Sequence, residues 1–414
     1  MKILVVQPTS DKRGHYGIWT TKICQAMAGL GNDVTLCTNR LQPERYIREK
    51  PLFKVYEVGG GKYAFDKFDE ARSSRPLYYF YGYFRVSYAI VAAALRLSNR
   101  MRRSASEQDF DVIFITDSEF LMASILLKRY GRGSAPVVMQ VNAANFTFDS
   151  YSGSVLKKLY KIFQRTIFKS TLGKEIKGFA VLGQWHKDNL REQLSLPSSF
   201  HIDVVPDAGE VTDESIESSK ARAKLGIDYA GDIILFFGMF RKDKGIVGLL
   251  EAIGRLRGSE FKLLVVGAPT EYTEQEILDI IKKNNIEDMV IFRPGYAADA
   301  DVPLYFYAAD ALILPYSSIY TGGSGPLLKG ACTFRRPVIV TDVSEMGRLT
   351  REHAMGLLAR PDDPPSLASK IEEFLEMDEV ERRQLSDNAT ELGRTNSWEA
   401  VAEKFVTLFS KVSI

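Results

Sequence analysis

The sequence predicts an α/β protein of two doubly wound domains, each a parallel sheet covered by helices on both faces. Three observations predict it. At 414 residues the chain is too long for one ordinary core, since domains run to roughly 100–200 residues. Short runs rich in Val, Ile, Leu and Phe recur along it, joined by amphipathic helical patterns, which is how buried parallel strands and their crossover helices read. A single polar, acidic stretch at 200–219, HIDVVPDAGEVTDESIESS after Phe200, interrupts the series and marks a linker.

The first element is the run KILVV at 2–6, followed by a glycine-containing loop to Gly17, a helical pattern over 20–29 and a strand over 33–38. Further strands are expected at 112–116 and 137–141, then beyond the linker at 233–237, 262–267, 290–292, 311–314 and 337–341. The domains are therefore 1–205 and 206–395, with a final helix at 396–414 that is expected to return to the first domain. In such folds ligands bind at the carboxyl ends of the strands, and with two domains a central cleft is the expected place.

Composition narrows the function. Hydrophobic residues make up 45% and charged residues 26%, a globular balance. Lys+Arg 54 against Asp+Glu 52 leaves +2, too little for a nucleic-acid partner read from the whole molecule. The apolar run after Lys2 is too short for a signal-peptide core, and no stretch approaches the roughly 18 apolar residues of a membrane span, so a cytoplasmic protein is expected. Cys24, Cys37 and Cys332 lie among apolar neighbours and read as buried free thiols. His15, His186, His201 and His353 lack zinc spacing, and no Asp-x-Asp stands where a diphosphate-bound metal would be expected; no metal and no cofactor are predicted.

Two segments carry the chemistry. In FFGMFRKDKGIVGLLEAI, from Phe236, a strand ends at Gly238 and a basic loop opens a helix. Gly238 permits close approach, and Arg241 with Lys244 near a helix start can hold a diphosphate by charge-assisted hydrogen bonds. That pair also suits catalysis, because fixed cations stabilise the charge that grows on a departing diphosphate. The plainer reading is a solvated charged turn. In PYSSIYTGGSGPLLKGACTFRRPVIVTD, from Pro315, Gly322, Gly323 and Gly325 loosen a strand-to-helix loop whose N–H groups can face an anion, and Pro326 suits a first helical position. Taken alone, a glycine-rich loop is a weak signal.

Together these segments resemble the donor domain of the GT4-like retaining glycosyltransferases, which have the two-domain GT-B fold. Val265-Val266-Gly267, the FRPGY run from Phe292, Tyr307-Ala308-Ala309-Asp310, Gly356-Leu357-Leu358 and Ser397-Trp398-Glu399 extend the likeness. It implies a sugar-nucleotide substrate, an acceptor-binding first domain and a donor-binding second. Arg241 and Lys244 would contact the donor diphosphate, Ser324 and Gly325 would meet it through the backbone, and Arg293 to Tyr296 would lie beside the base. Gly14 and Gly17 resemble the turn that lets the first helix approach the donor phosphate, and His15 in the same loop is placed either for acid–base or sugar contact or simply as a loop hydrogen-bonding residue. The chain departs from the family at the two loop glutamates, where Gly322 and Gly330 fall, at the strand-end His, where Asn142 falls, and at a later acidic residue, which falls near Arg348.

Two features concern the acceptor. Over 153–170, Leu156, Leu159, Tyr160, Phe163 and Ile167 share one helical face, with Lys158, Lys161, Arg165 and Lys169 opposite. Either the apolar face is core and the basic face solvated, or the basic stripe meets an anionic membrane surface. The aromatic insert from Arg75 to Tyr88, followed by Arg100, Arg102 and Arg103, suits core packing, sugar stacking or a lipid interface. The expected activity is glycosyl transfer from a nucleotide-sugar donor to a glycan or lipid-linked acceptor, in the cytoplasm or peripheral on the inner membrane face. The alternatives are a non-catalytic sugar-nucleotide-binding protein and a GT-B-fold epimerase; a nicotinamide enzyme would need a G-x-G-x-x-G turn that is absent.

Overall fold

Alternating apolar runs and amphipathic stretches fold as two all-parallel sheets with crossover helices. The computed structural model describes residues 1–11, 16–65, 68, 75–103, 109–116, 120–141 and 155–413. They divide into two compact units, Met1–Pro206 with Trp398–Ile414, and Asp207–Ser397.

In the first unit, β1 (Lys2–Gln7), β2 (Asp33–Thr38), β3 (Lys54–Glu57), β4 (Val112–Ile115), β5 (Val137–Val141), β6 (Ile176–Val181) and β7 (His201–Val204) pair in the order β3-β2-β1-β4-β5-β6-β7. Its helices are α1 (Tyr16–Gly29), α2 (Pro76–Arg103), α3 (Phe120–Tyr130), α4 (Val155–Lys169) and α5 (Gln184–Leu194). The C-terminal helix, Trp398–Val412, belongs to this unit. Its Phe405 and Phe409 are buried, with Phe114 of β4 at 4.8 and 5.1 Å between ring centroids. Trp19 of α1 meets Phe405 edge-on at 6.1 Å.

In the second unit, β8 (Asp232–Phe237), β9 (Phe261–Gly267), β10 (Val290–Pro294), β11 (Ala311–Leu314), β12 (Val338–Thr341) and β13 (Gly356–Ala359) pair in the order β10-β9-β8-β11-β12-β13. The helices are α6 (Ser218–Lys224), α7 (Ile246–Arg255), α8 (Glu274–Lys283), α9 (Val302–Ala308), α10 (Gly325–Leu328), α11 (Ser344–Glu352), α12 (Pro364–Glu376) and α13 (Glu379–Thr395). β8 is tied twice at its amino-terminal end: Arg382 of α13 grips Asp232 bidentately at 2.6 and 3.0 Å, and Asp310 accepts from the Ile233 N–H at 2.7 Å while pairing with Arg222. The strand order reverses at β8 and β11, so their carboxyl ends emerge side by side, the usual ligand-binding position of a doubly wound sheet.

The structure corrects four sequence expectations. β7 lies inside the stretch 200–219 that read as linker. β3 was not anticipated because all four of its residues are exposed at a sheet edge, where no apolar run is required. β6 was missed because Lys177 and Gly178 break the apolar run; a Cβ on Gly178 would meet Val412 Cγ1 at 3.2 Å, so the glycine admits the C-terminal helix. The aromatic insert is not a loop: it opens the 28-residue helix α2, whose last turns carry Arg100, Arg102 and Arg103.

Replacing Phe405 with Ala should remove roughly 3–5 kcal/mol of stability, as expected for a fully buried aromatic among rings that cannot collapse around the void. Chemical denaturation monitored by Trp19 fluorescence measures it; a loss below about 1 kcal/mol would mean the helix is not part of this core.

Candidate functional site

The parallel register that sets Ala311 beside Ile234 and Leu312 beside Leu235 brings the loops after β8 and β11 together. Those are the two segments singled out from the sequence. After β8, Gly238 takes φ +156, and Gly267 packs so tightly that an added Cβ would lie 1.8 Å from the Gly238 oxygen. Arg241, Lys242, Asp243 and Lys244 then form a single tight turn, and Gly245 begins α7 in the left-handed region at φ +68. A Cβ on Gly245 would lie 1.7 Å from the Pro315 oxygen. Two residues on, the Ser317 N–H donates to the Asp243 oxygen at 3.1 Å. The loops are thus stitched backbone to backbone.

That stitching determines where the cations go. Lys244 is buried at 9% exposure, with its ammonium 3.7 Å from the Tyr316 ring centroid and 4.3 Å from that of Tyr320. No ion pair holds it among the described residues, so its charge rests on aromatic faces, an attraction worth roughly 2 kcal/mol when desolvated. Arg241 is held differently: Nε donates to Asp243 Oδ1 at 3.0 Å and Nη2 to Oδ2. Burial works against its charge, but the Asp243 carboxylate outweighs burial and holds the guanidinium above its usual range.

On the other loop, buried Ser324 caps α10, its Oγ accepting the Leu327 N–H at 3.2 Å and lying 3.1 Å from the Tyr316 hydroxyl. Tyr320 donates to the Gly323 oxygen. The N–H groups of Gly322, Gly323, Ser324 and Gly325 have no acceptor among the described residues. The helix continues as one wide turn, Lys329–Thr333. Within that turn Gly330 faces β11, and a Cβ there would meet Leu312 Cδ2 at 2.5 Å and Phe306 Cε1 at 3.2 Å. A carboxylate at that position has no room.

Two carboxyl groups that the sequence did not suggest flank the loop. Ser344, at φ +49, donates to the Gly322 oxygen at 3.4 Å. Its neighbour Glu345 is 4% exposed, bonded through Oε1 to Arg348 Nε at 2.8 Å, while Oε2 has no partner. Glu345 thus stands one helical turn before Arg348, where the sequence shows no acid at 348 itself. Asp207 keeps some exposure, yet burial of its carboxyl, with repulsion from Glu345 second, pushes it up to about 6. Neither lies in a recognisable motif: Glu345 follows a strand among ordinary helix-start residues, and Asp207 sits in the expected linker.

Of the other expected residues, Tyr296 reaches the loop after β8, its hydroxyl 3.8 Å from the Met239 sulfur, and Arg293 is exposed at the end of β10. Gly17 is in the first unit, where a Cβ would meet the Ser10 oxygen and the Tyr46 hydroxyl, both at 2.9 Å. Gly14, His15 and Asn142 lie outside the described residues. Among the described residues no group of three or more His, Cys, Asp and Glu could hold a metal ion.

Known proteins resemble this chain in sequence and in fold. The family profile described as Glycosyl transferases group 1 matches residues 217–392. A putative teichuronic acid biosynthesis glycosyltransferase, TuaC of Bacillus subtilis, is 25% identical across 94% of this chain and 93% of its own length. A D-inositol 3-phosphate glycosyltransferase of Acidothermus cellulolyticus is 29% identical across 39% of this chain and 37% of its own. In fold, the chain is similar to sucrose-phosphate synthase from Thermosynechococcus elongatus, with TM-score 0.72, 18% identity and coverage of 99% and 98%. It is also similar to Anabaena HepE in complex with UDP-glucose, with TM-score 0.68, 15% identity and coverage of 99% and 100%. These neighbours establish the two-domain GT-B fold.

Two outcomes are expected here. Gly245→Ala should cost more than about 1–2 kcal/mol, the left-handed backbone penalty alone, because Pro315 must also move; Gly238→Ala, with nothing within 4 Å of its Cβ, should cost less in the same thermal unfolding assay. Asp207 titrates near 6 folded against 3.8 for an unperturbed Asp. The folded state thus holds this proton more tightly than the unfolded chain, so ionised Asp207 opposes folding at neutral pH and that opposition fades as pH falls from 6 towards 4. Asp207→Asn should accordingly raise the Tm at pH 7.5 and leave it nearly unchanged at pH 4; an equal shift at both would rule the titration out.

Proposed function

We propose that this chain, whose residues 217–392 match the glycosyl transferases group 1 family, is a glycosyltransferase that moves a sugar from a nucleoside-diphosphate donor to an acceptor hydroxyl with retention. The observation that carries this reading is Lys244, a buried ammonium resting on two tyrosine rings with no carboxylate partner among the described residues. A buried charge in that condition favours an anion that can complete its hydrogen bonds.

The donor diphosphate lies, in this reading, against Lys244 and the N–H groups of Gly323, Ser324 and Gly325. Arg241 joins when the diphosphate replaces or shares Asp243. As the bond from the sugar to the diphosphate breaks, negative charge grows on the leaving phosphate, and these fixed donors oppose it without a metal. Tyr296 and Arg293 stand on the side of the nucleobase. The carboxylate contacts unavailable at Gly322 and Gly330 fall to Glu345 and Asp207, which would hold sugar hydroxyls. Retention follows from the resemblance to the GT4-like enzymes. The acceptor is a glycan or lipid-linked saccharide bound by the first unit, and the enzyme works in the cytoplasm, peripheral to an anionic membrane surface. UDP-sugars are the first donors to test, because HepE was solved with UDP and with UDP-glucose.

Lys244→Ala should weaken UDP or UDP-sugar binding at least ~tenfold, since a hydrogen bond to a charged group contributes roughly 1.5–3 kcal/mol. Calorimetry on wild type and variant, each with EDTA, measures it while circular dichroism checks the fold. Unchanged affinity would remove Lys244 from the site, and affinity abolished by EDTA would require a metal. Binding without release of UDP in the presence of any acceptor would favour a sugar-nucleotide-binding protein.

A further inference from the structure

Helices α2, α3 and α4 lie side by side, α3 touching both others, and bury one face in the core of the first unit through Val86, Ile90, Leu126, Leu127 and Phe168. Their outer faces are unlike the rest of the protein. The three helices carry five, two and five Lys or Arg and no Asp or Glu, in a chain whose charges are otherwise almost balanced at 54 to 52.

The exposed side chains are also strongly apolar. On α2, Leu77 is 85% exposed, Tyr81 58% and Phe80 55%. On α4, Leu159, Ile162 and Phe163 are 57%, 51% and 53% exposed. Ile125 of α3 stands between them at 46%. This reverses the reading of α4 in which its apolar face is core. The residues it buries are Gln164 and Phe168 near its C-terminal end, where Phe168 meets Phe120 and Phe179 at 5.1 and 5.9 Å; its apolar stripe faces outward. Leu156 and Lys158 are outside the described side chains.

On α2 the most exposed apolar residues and most of the basic ones fall at opposite ends, whereas on α4 they are interleaved. A crossover helix leaves the carboxyl end of one parallel strand and delivers the chain to the amino end of the next, so the first turns of α2 and α4 lie by the carboxyl edge of the sheet. Leu77, Phe80 and Tyr81 occupy the first turns of α2, while Arg96, Arg100 and Arg102 occupy its last. On α4, Lys157, Lys158 and Lys161 precede or interleave with exposed Leu159, Ile162 and Phe163, and Arg165 and Lys169 follow them. Some basic groups have neighbours, as Arg96 with the Tyr130 hydroxyl at 2.9 Å and Arg102 with Asp109 at 3.5 Å.

We propose that this three-helix face docks on an anionic lipid bilayer, with the outward apolar side chains of α2 and α4 inserted among the headgroups and the basic residues of the three helices lying on them. The charge pattern selects this occupant. A second copy would set two acid-free basic faces against each other, whereas anionic headgroups complement the charge and the acyl boundary accepts the apolar side chains. Aromatic residues with polar tips suit that interface. Among the described residues no helix is long and apolar enough to cross a membrane, so attachment is by this face lying on the surface. The proposal rests on the reading of a lipid-linked or membrane-borne acceptor, because docking by the carboxyl edge of the first unit brings that edge to where such an acceptor is anchored.

The test is cosedimentation of the full chain with phosphatidylcholine vesicles, with and without phosphatidylglycerol, at low and high salt. Wild type should partition onto the phosphatidylglycerol vesicles at least ~tenfold better at low salt. Ile162→Ser with Phe163→Ser should lower that partition at least ~fivefold, with Tm and UDP-sugar affinity unchanged. Leu77→Ser with Tyr81→Ser, on a different helix, should do the same if the first pair disturbs folding. Lys128→Gln with Arg129→Gln should reduce the salt dependence. Equal binding to both vesicle types, or full binding by both apolar variants, overturns the proposal. Loss of UDP-sugar binding in solution with vesicle binding intact would instead count against the glycosyl-transfer site alone.

Discussion

The rest of the second unit depends on the contact between Gly245 and the Pro315 carbonyl. It exists because β8 and β11 are parallel neighbours, and it is permitted because position 245 has no Cβ and takes a positive φ. Everything distinctive about the site follows from that contact. It sets the Asp243 oxygen opposite the Ser317 N–H, and it carries Lys244 under the two tyrosines of the facing loop. Lys244 could not occupy that place on an ordinary surface turn, where a lysine would extend into water.

The fold was largely legible because parallel strands buried on both faces must be continuous apolar runs, and the central strands of each sheet are such runs. The failures occurred where that requirement lapses. β3 sits at an edge with its side chains exposed, and β6 is interrupted by Gly178 for a reason held over 200 residues away in the C-terminal helix. The helix α4 showed the opposite weakness. Its two-faced pattern was plain, but periodicity says only that the faces differ and not which one is covered.

The candidate site was legible in its backbone and not in its chemistry. Arg241, Lys244, Ser324 and the glycines stood out because phosphate-holding loops need cations, small residues and helix starts at fixed spacing. Tyr316 and Tyr320 did not, since their contribution depends on a lysine more than 70 positions earlier in the chain. Glu345 and Asp207 were missed for the same reason: Glu345 becomes notable only when burial leaves one of its oxygens without a partner, and Asp207 only when its carboxyl is buried with Glu345 nearby.

Gly330 has a consequence for how this chain can change over evolutionary time. Leu312 and Phe306 fill the space into which any side chain at 330 would project. Placing an acid there by one substitution would drive a charge into packed hydrocarbon, so accepting one requires smaller residues at 306 or 312 first, each of which leaves a void while it waits. Such intermediates are less stable than either end point. Substitutions are therefore easier to accommodate at exposed Arg293 and Tyr296 than within the wide turn.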